Sequence, residues 1–539
     1  AMPKDYGTQK LERDDFPFIP ARFGLMIRHT RTENGWIPDI EAVLQLKVIE
    51  KVFQNCDTII AATDASREGE MAFRYVYQYL NCTQPCSRLW ISSLTDESVR
   101  KGLEDMKPDS CYDSLFLSAD CRNKADWILG INASYAMCKA TGLGNNSLGR
   151  VQTPVLAAIS RRYRERENHI SSDSWPIYIS LQKDGILFKM RRTQDLPDKE
   201  SATMFFQDCK LAHQAQITGI SHSVKEILPP DLLDLTQLQK EANIRYGFTA
   251  SEVYDIAQSL YEKKLISYPR TSSRYLTEDV FDSLPPIMAC LLSWELFPAA
   301  KGTGGIDISN LSRHVISAEK ANVHHAIIIT GIRPGNLSEK EMQVYRLVLE
   351  TFMAPCRIET TNVEAVCAAQ HFKAEQTRII EAGWHDVFMR YDMIPTSGYS
   401  VKELPEVEKG DTLNVCGCNM VHKKELPVDP FTDAELVEYM ELNGLGTVSS
   451  RTNIIRTLVN RKYIRYSGKY IVPTPKGMFT YETIRGKKIA DTSLTADWEK
   501  QLAGLESGMI TGQDFLNRIR TLAKEMTDDI FNTYSTKEE

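Results

Sequence analysis

Apolar positions recur along this chain with two periods, and the changes of period mark where helices and strands are expected. An apolar run at 58–62 ends at Thr63 and Asp64, and from about Gly69 the positions Met71, Ala72, Tyr75, Val76, Tyr79 and Leu80 take helical spacing. This predicts a strand, an acidic turn and a helix. Positions 115–138 and 151–166 predict two further helices, parted by a loop around Gly142, Gly144, Asn145 and Asn146. Alternating segments at 175–181, 186–191 and 216–220 predict strands, and similar segments recur between 356 and 415. The two stretches are expected to build one β domain, which the chain leaves at Pro229 and Pro230 and rejoins past Gly335, so that the middle reads as an insertion. Inside it, Thr249 and Glu252 have capping-box spacing ahead of an apolar face of Val253, Ile256, Ala257 and Leu260. A second capping box, Thr432 with Glu435, precedes a helix, a turn at 444–446, a basic second helix and a hairpin turning at Ser467 and Gly468. That order is a helix-turn-helix with a wing, a unit that presents its second helix to nucleic acid or serves only packing.

Length and charge sharpen this outline. A chain of 539 residues exceeds one hydrophobic core, so several domains are expected, and 42% hydrophobic with 25% charged residues is the balance of folded domains. No apolar run approaches the roughly 20 residues that span a bilayer, and the N-terminus lacks a basic and then apolar leader, so a cytoplasmic protein without membrane contact is expected. Of 12 cysteines, only Cys82 with Cys86 and Cys416 with Cys418 lie close, neither with a second pair at zinc-ribbon distance. Reduced thiols and no zinc follow. The net charge of -7 argues against a polyanionic partner until its distribution is read. From 444 to 476 there are seven basic residues and no acidic one, and from 116 to 170 eight basic against four acidic. Such segregation suits a nucleic-acid cleft on an acidic body, or two solvated helix faces.

Three places carry candidate chemistry. Asp64, Glu68 and Glu70 crowd the end of the first strand, where open α/β sheets bind ligands. Mutual repulsion would be relieved by a hard cation such as Mg2+, but acids in a first helical turn are also favoured by the helix dipole. Arg122 and Asp126 sit four apart on one helix face, and the helix at 151–166 ends in Arg161, Arg162, Arg164 and Arg166, which would suit it to track phosphates. In Ser267-Tyr-Pro-Arg270, Pro269 biases Tyr268 to an extended, exposed loop conformation that sends Tyr268 and Arg270 to one side. A phenol is a weak nucleophile until a cation or base assists it, and Arg270 could supply that charge. With 22 tyrosines in the chain, spacing leaves open whether Tyr268 only packs against the helix end.

Taken together, Ala62-Thr-Asp-Ala-Ser-Arg-Glu-Gly-Glu70, Ser147-Leu-Gly-Arg-Val-Gln-Thr-Pro154, Asp234-Leu-Thr-Gln-Leu-Gln239, Leu265-Ile-Ser-Tyr-Pro-Arg-Thr271, Val323-His-His-Ala-Ile327 and Asn443-Gly-Leu-Gly446 resemble, in order, the type IA DNA topoisomerases, and most closely their topoisomerase III branch. The resemblance implies a multidomain α/β plus α and β fold, a toroid. Its parts would be a partial Toprim domain (1–110), a base (111–173 and 425–539, the latter winged-helix-like), a β arch (174–226 and 336–424) and an inserted tyrosine domain (227–335). By the family mechanism Tyr268 would attack single-stranded DNA and hold its 5′ end while a strand passes, with resealing independent of ATP. Arg270 would stabilise the scissile phosphate and His324 would donate a hydrogen bond beside it. Asp64 and Glu68 would hold Mg2+ with Arg67 and Glu70 in support, Glu70 being a third candidate ligand. Arg122, Asp126, Arg150, Gln152 and Arg451 would seat the DNA. A monomer is expected, and no helicase partner is specified.

The sequence also departs from the family. Ser66 and Ser272 stand where it has acids, and the opening strand with its Glu and nearby Lys has no counterpart. The first residues, Met2-Pro-Lys-Asp-Tyr6 and Phe18-Ile-Pro-Ala-Arg-Phe23, resemble a region inside the Toprim domain, so the chain reads as N-terminally shortened, with an exposed sheet edge and doubtful turnover. The alternatives are a single-stranded DNA-binding fragment without turnover and a Toprim nuclease or primase, which would leave Tyr268 unused.

Overall fold

The structure, a computed structural model, describes residues 2–3, 12–33, 35–91, 96–142, 146–294, 313–317, 319–321, 324–354, 360–369, 371–379, 384 and 403–535. Gly144 and Asn145 of the expected loop, Val323, and residues 4–6 of the opening match lie outside the described residues.

The first strand, acidic turn and helix form as the pattern predicts. Helix α1 (Ile40–Phe53) leads to β1 (Ile59–Ala61), then α2 (Arg67–Tyr79), β2 (Cys86–Arg88) and β3 (Lys107–Pro108). β1 pairs in parallel with β2, and β2 antiparallel with β3. Upstream, residues 16–23 lie on the next helix, where Phe18 N–H donates to Asn132 Oδ1 at 2.6 Å and Asn132 Nδ2 donates back to the Phe18 carbonyl at 2.9 Å.

Two helices follow, α3 (Asp113–Thr141) and α4 (Gln152–Glu167), and α4 buries every residue from Thr153 to Ser160. The chain then enters β4 (Ile177–Lys183), β5 (Ile186–Arg192), a helix absent from the sequence reading, α5 (Lys199–Leu211), and β6 (Gln214–Ile227). Past the prolines come α6 (Leu235–Tyr246), α7 (Ala250–Glu262) and α8 (Glu339–Met353). β7 (Thr360–Ala369), β8 (Phe372–Ile379) and β9 (Thr412–Met420) return to the first three strands and close an antiparallel barrel of order β5-β8-β7-β6-β9-β4. Both strand-rich stretches therefore share one core, with Ile177, Leu181, Phe188, Ala374 and Leu413 inside it. The sequence reading assigned 336–424 to the arch, but α8 packs Val344, Tyr345, Leu347 and Val348 into the inserted core with Leu238, Val253 and Leu260. Apolar burial puts Glu339–Met353 with the insertion.

The chain ends in α9 (Asp433–Leu442), α10 (Val448–Asn460), the wing β10 (Ile464–Ser467) and β11 (Tyr470–Pro473), then α11 (Pro475–Ile484), α12 (Ser493–Glu506) and α13 (Gly512–Ser535). The expected capping boxes of α7 and α9 are both present, each satisfying helix N–H groups that would otherwise lack partners. α12 and α13 pack on α3 around Trp498, Leu502, Phe515 and Ile519, joining two distant parts of the sequence in one base.

Candidate active site

The end of α7 fixes the tyrosine. Ile266 bridges Ile329, Ser267 N–H donates to the Ile328 carbonyl at 2.9 Å, and Ile328 N–H donates to Ser267 Oγ at 2.9 Å. This pairing sets Tyr268 against His324, ring centroids 4.7 Å apart, with Tyr261 at 5.4 Å on another side. Tyr268 is therefore not the exposed loop residue expected, for only 5% of its surface is accessible. Burial, and then the negative charge of Asp64, push its phenol well above the ordinary value, while Arg270 acts the other way. The closed site holds a protonated phenol.

Arg270 spans the cleft. Its Nη1 donates to Asp64 Oδ2 at 2.8 Å and its Nη2 to Gln258 Oε1 at 3.3 Å, and the guanidinium lies 5.3 Å from the centre of the Tyr254 ring. His324 Nε2 donates to the Ala65 carbonyl at 2.8 Å, which leaves Nδ1 as a buried atom without a hydrogen-bond partner. Burial lowers the pKa of His324, so it is neutral around pH 7. The insertion thus reaches the acid turn twice, through Arg270 to Asp64 and through His324 to Ala65.

The turn itself is shaped by Ser66 and Gly69. Ser66 Oγ accepts from Gly69 N–H at 3.0 Å and caps α2, and a Cβ on Gly69 would stand 2.0 Å from the Asp64 carbonyl. Only glycine lets the helix start so close to the strand end. Asp64 and Glu68 are half-exposed at the cleft, Glu68 accepting from Arg122 Nη1 at 2.9 Å. Glu70 is different. It is fully buried between Arg74 Nε at 2.8 Å and Arg88 Nε at 3.0 Å, so the structure turns this candidate metal ligand away from the cleft. Arg88 also donates to the carbonyls of Ala61, Thr63 and Asp64, making the pair an anchor for the turn. Arg67 reaches the base instead, pairing with Glu499 at 3.2 Å and Glu506 at 2.7 Å. Among the described residues no three His, Cys, Asp or Glu side chains are grouped to hold a metal ion.

The expected DNA contacts divide. Arg122 and Asp126 line the cleft, which encloses about 970 Å³. Arg150 does not: it is buried, donating to both oxygens of Asp126 at 2.8 and 3.3 Å and lying 4.7 Å from the centre of the Trp498 ring. Gln152 is held between Ser147 and Arg461, whose Nη1 donates to it at 2.6 Å. Arg451 is buried too and donates to Thr236 at 2.9 Å and Glu441 at 3.3 Å, tying α10 to α6. The motif resemblance suggested a DNA contact for Arg150 and the basic run one for Arg451; the structure buries both against carboxylates, as interior links. The sequence reading missed Tyr254 and Gln258, two turns and one turn before the end of α7, and Thr447, Ser449, Ser450 and Asn453 at the start of α10, all but Gln258 lining the cleft. The run Thr447-Val-Ser-Ser450 after Gly446 was the available signal, since hydroxyl residues before a helix cap it and leave N–H groups facing anions.

The cleft brings a tyrosine, an arginine and a histidine against carboxylates, and comparison with known proteins supplies the class of enzyme. The DNA topoisomerase family matches residues 110–517. DNA topoisomerase 3 of Bacillus licheniformis is 30% identical over 98% of this chain and 75% of its own length, and that of Bacillus subtilis 30% identical over 99% and 76%. The full-length topoisomerase I of Thermotoga maritima superposes with a TM-score of 0.72 at 20% identity, covering 98% of this chain and 84% of that one, a likeness of fold. The chain belongs to the DNA topoisomerases, as a type IA, topoisomerase III-like member. Its substrate is DNA. No helix among the described residues is long and apolar enough to cross a membrane.

Proposed function

We propose that this chain cleaves single-stranded DNA through Tyr268 and reseals it without ATP, relaxing or decatenating DNA as a monomer. The observation that carries the reading is the meeting of Tyr268, Arg270 and His324 with the acid turn, Arg270 on Asp64 and His324 on Ala65, across the seam with the insertion. In the reaction Tyr268 Oη attacks phosphorus, the 3′ oxygen leaves with a proton, and the 5′ phosphate stays on the phenol; the reverse attack reseals. The phosphotyrosine conserves the phosphodiester, so no nucleotide is consumed. Arg270 neutralises a phosphate oxygen, and its charge also opposes the rise in the phenol pKa that burial and Asp64 cause. DNA entry requires the insertion to part from the acid turn, breaking the Arg270 and His324 contacts.

Mg2+ suits the donor set in a limited way. It binds through one or two carboxylates and keeps water, which Asp64 and Glu68 could provide, whereas the ion-paired Glu70 could not. Bound there, the ion would offset charge on the phosphate oxygens.

The test is covalent capture. End-labelled single-stranded DNA mixed with the protein and Mg2+ and then denatured should carry label into the protein, and Tyr268→Phe should abolish the adduct without lowering binding. Tight binding with no adduct in the wild type would favour a strand-binding protein without turnover.

A further inference from the structure

The four arginines that end α4 are not used alike. Arg162 donates to the Asp429 carbonyl at 2.7 Å and lies 4.1 Å from the centre of the Phe431 ring, Arg164 pairs with Glu482, and Arg166 pairs with Asp429 at 2.7 Å. These three serve the packing of the base. Arg161 has no hydrogen bond or ion pair among the described residues, and it opens into a second cleft of about 1160 Å³ between α4, α9 and α11. Arg485, at the end of α11, faces the same space and is likewise exposed and unpaired among the described residues. The same cleft is lined by the half-buried Tyr439 ring, which packs 5.5 Å from the Phe431 ring, and by Asn443. The lining also includes Lys487, already held by Asp529 at 3.0 Å, and two acids, Glu165 and Asp491.

This is not the face of α4 that carries Gln152. Pro154, Ala157, Ala158 and Arg161 recur at helical spacing along the second cleft, whereas Gln152 turns to Ser147 and Arg461. The two clefts nevertheless approach each other. Asn443 lines one and Thr447 the other, and four residues of chain span at most about 14 Å. The turn between them holds Gly444, with φ +62° and open space where a Cβ would point. Two guanidinium forks without partners among the described residues match phosphodiester oxygens, and an aromatic ring in the same cleft offers a surface on which a base can stack.

We infer that Arg161, Arg485 and Tyr439 form a second phosphate site on the base, which takes up single-stranded DNA where it leaves the cleavage cleft over the 443–447 turn. The inference rests on the reading of the chain as acting on single-stranded DNA. It assigns the strand an exit path on the base, set apart from the residues that meet the scissile phosphate.

The experiment measures binding of a long single-stranded oligonucleotide across a salt series, for the full chain and for the double variant Arg161→Ala with Arg485→Ala, and scores the Tyr268 adduct in parallel. Each phosphate contact to a single strand contributes about 0.7 to the slope of log K against log salt, so the slope should fall by about 1.4. An iodouracil-substituted strand should photocrosslink to Tyr439 in the wild type. An unchanged slope, or a loss of affinity equal at every salt concentration, overturns the site. If the adduct forms while the slope is unchanged, cleavage stands and the second site fails. If the slope falls but no adduct forms, the site stands and the cleavage reading fails.

Discussion

The base and the N-terminal α/β unit both border the cleft that holds Tyr268, yet different forces hold them. In the base, α3, α12 and α13 enclose Ile128, Trp498, Leu502, Phe515 and Ile519, each almost fully buried. Among the described residues, the apolar cluster of the N-terminal unit buries only Ile59, Ala61 and Phe73, with Phe53, Cys56, Tyr77 and Cys86 half-buried against it, a far smaller core than that of the base. α1 buries no residue fully: Ala42, Val43, Leu46, Ile49 and Phe53 are half-buried, while Ile40, Leu44, Val48 and Val52, at four-residue spacing, are each more than half exposed. What orders the unit is polar: the buried Glu70 and Arg88 pair inside it, and Tyr75 to Asp120 at 2.8 Å and Arg67 to Glu499 and Glu506 at its border with the base. The acids of the site therefore stand on a unit whose geometry depends on a few ion pairs. The base beneath them is fixed by packing.

The sharpest way to break this comparison is to remove one key group from each region. Arg88→Ala takes one partner from Glu70 and a donor from four backbone carbonyls, a change of about 3–5 kcal/mol for a buried pair. Trp498→Ala removes a fully buried ring at a similar cost, about 3–5 kcal/mol. Hydrogen exchange should separate them: Arg88→Ala deprotects β1 and α2 and leaves α12 and α13 protected, while Trp498→Ala lowers protection throughout the base. Uniform loss in both variants would mean that the two regions unfold as one. A smaller effect is expected from Gly69→Ala. The added Cβ would displace the Asp64 carbonyl from 2.0 Å, so adduct formation should fall about ten-fold, equivalent to roughly 1.4 kcal/mol, with the melting of the base unchanged.

These contrasts show which parts of the molecule were legible in the sequence. Periodicity located α2, α3, α4, α7 and the wing because each has a local cause, an apolar stripe, a cap or a tight turn. It missed α5, which lies between strands of the barrel, and it placed the end of the insertion before α8, because membership of a core depends on partners far along the chain. The motifs singled out Tyr268, Arg270, His324 and Asp64, which the structure gathers around one cleft. They did not reveal that Tyr268 is buried, that Glu70 faces inward or that Arg150 and Arg451 are paired, since residue type gives charge but not direction. A buried arginine and a DNA-facing arginine look alike until their carboxylate partners are known.

The His-His pair allows a subtler test of the seam between insertion and acid turn. Burial lowers the pKa of both His324 and His325, so below their unfolded value of about 6.5 the unfolded chain binds more protons than the folded one. Stability should be constant above that pH and fall as the pH drops below it, by on the order of 1 kcal/mol per histidine at pH 5.5. Urea unfolding at a series of pH values, with His324→Gln beside the wild type, measures the share of His324. Gln can still donate to the Ala65 carbonyl, so the variant should lose part of the acid sensitivity and keep most of the stability at pH 7.5. An identical pH dependence would show that His324 is reached by water in solution and that the seam is open.

The smallest effect is expected on α1, and it bears most directly on the comparison. If the stripe of Ile40, Leu44, Val48 and Val52 contributes little to the folded monomer, Leu44→Gln with Val48→Gln should change unfolding free energy by less than about 0.5 kcal/mol, the range of surface substitutions. Apolar area left in water gives no stabilisation, so its removal should cost none. Light scattering should fall in the same variant, because an exposed apolar face of this kind promotes association. A loss of several kcal/mol would instead mean that α1 packs in solution against surface that the structure leaves open. The N-terminal unit would then owe its order to apolar burial after all, and the Arg88 and Glu70 pair would be one contributor among several.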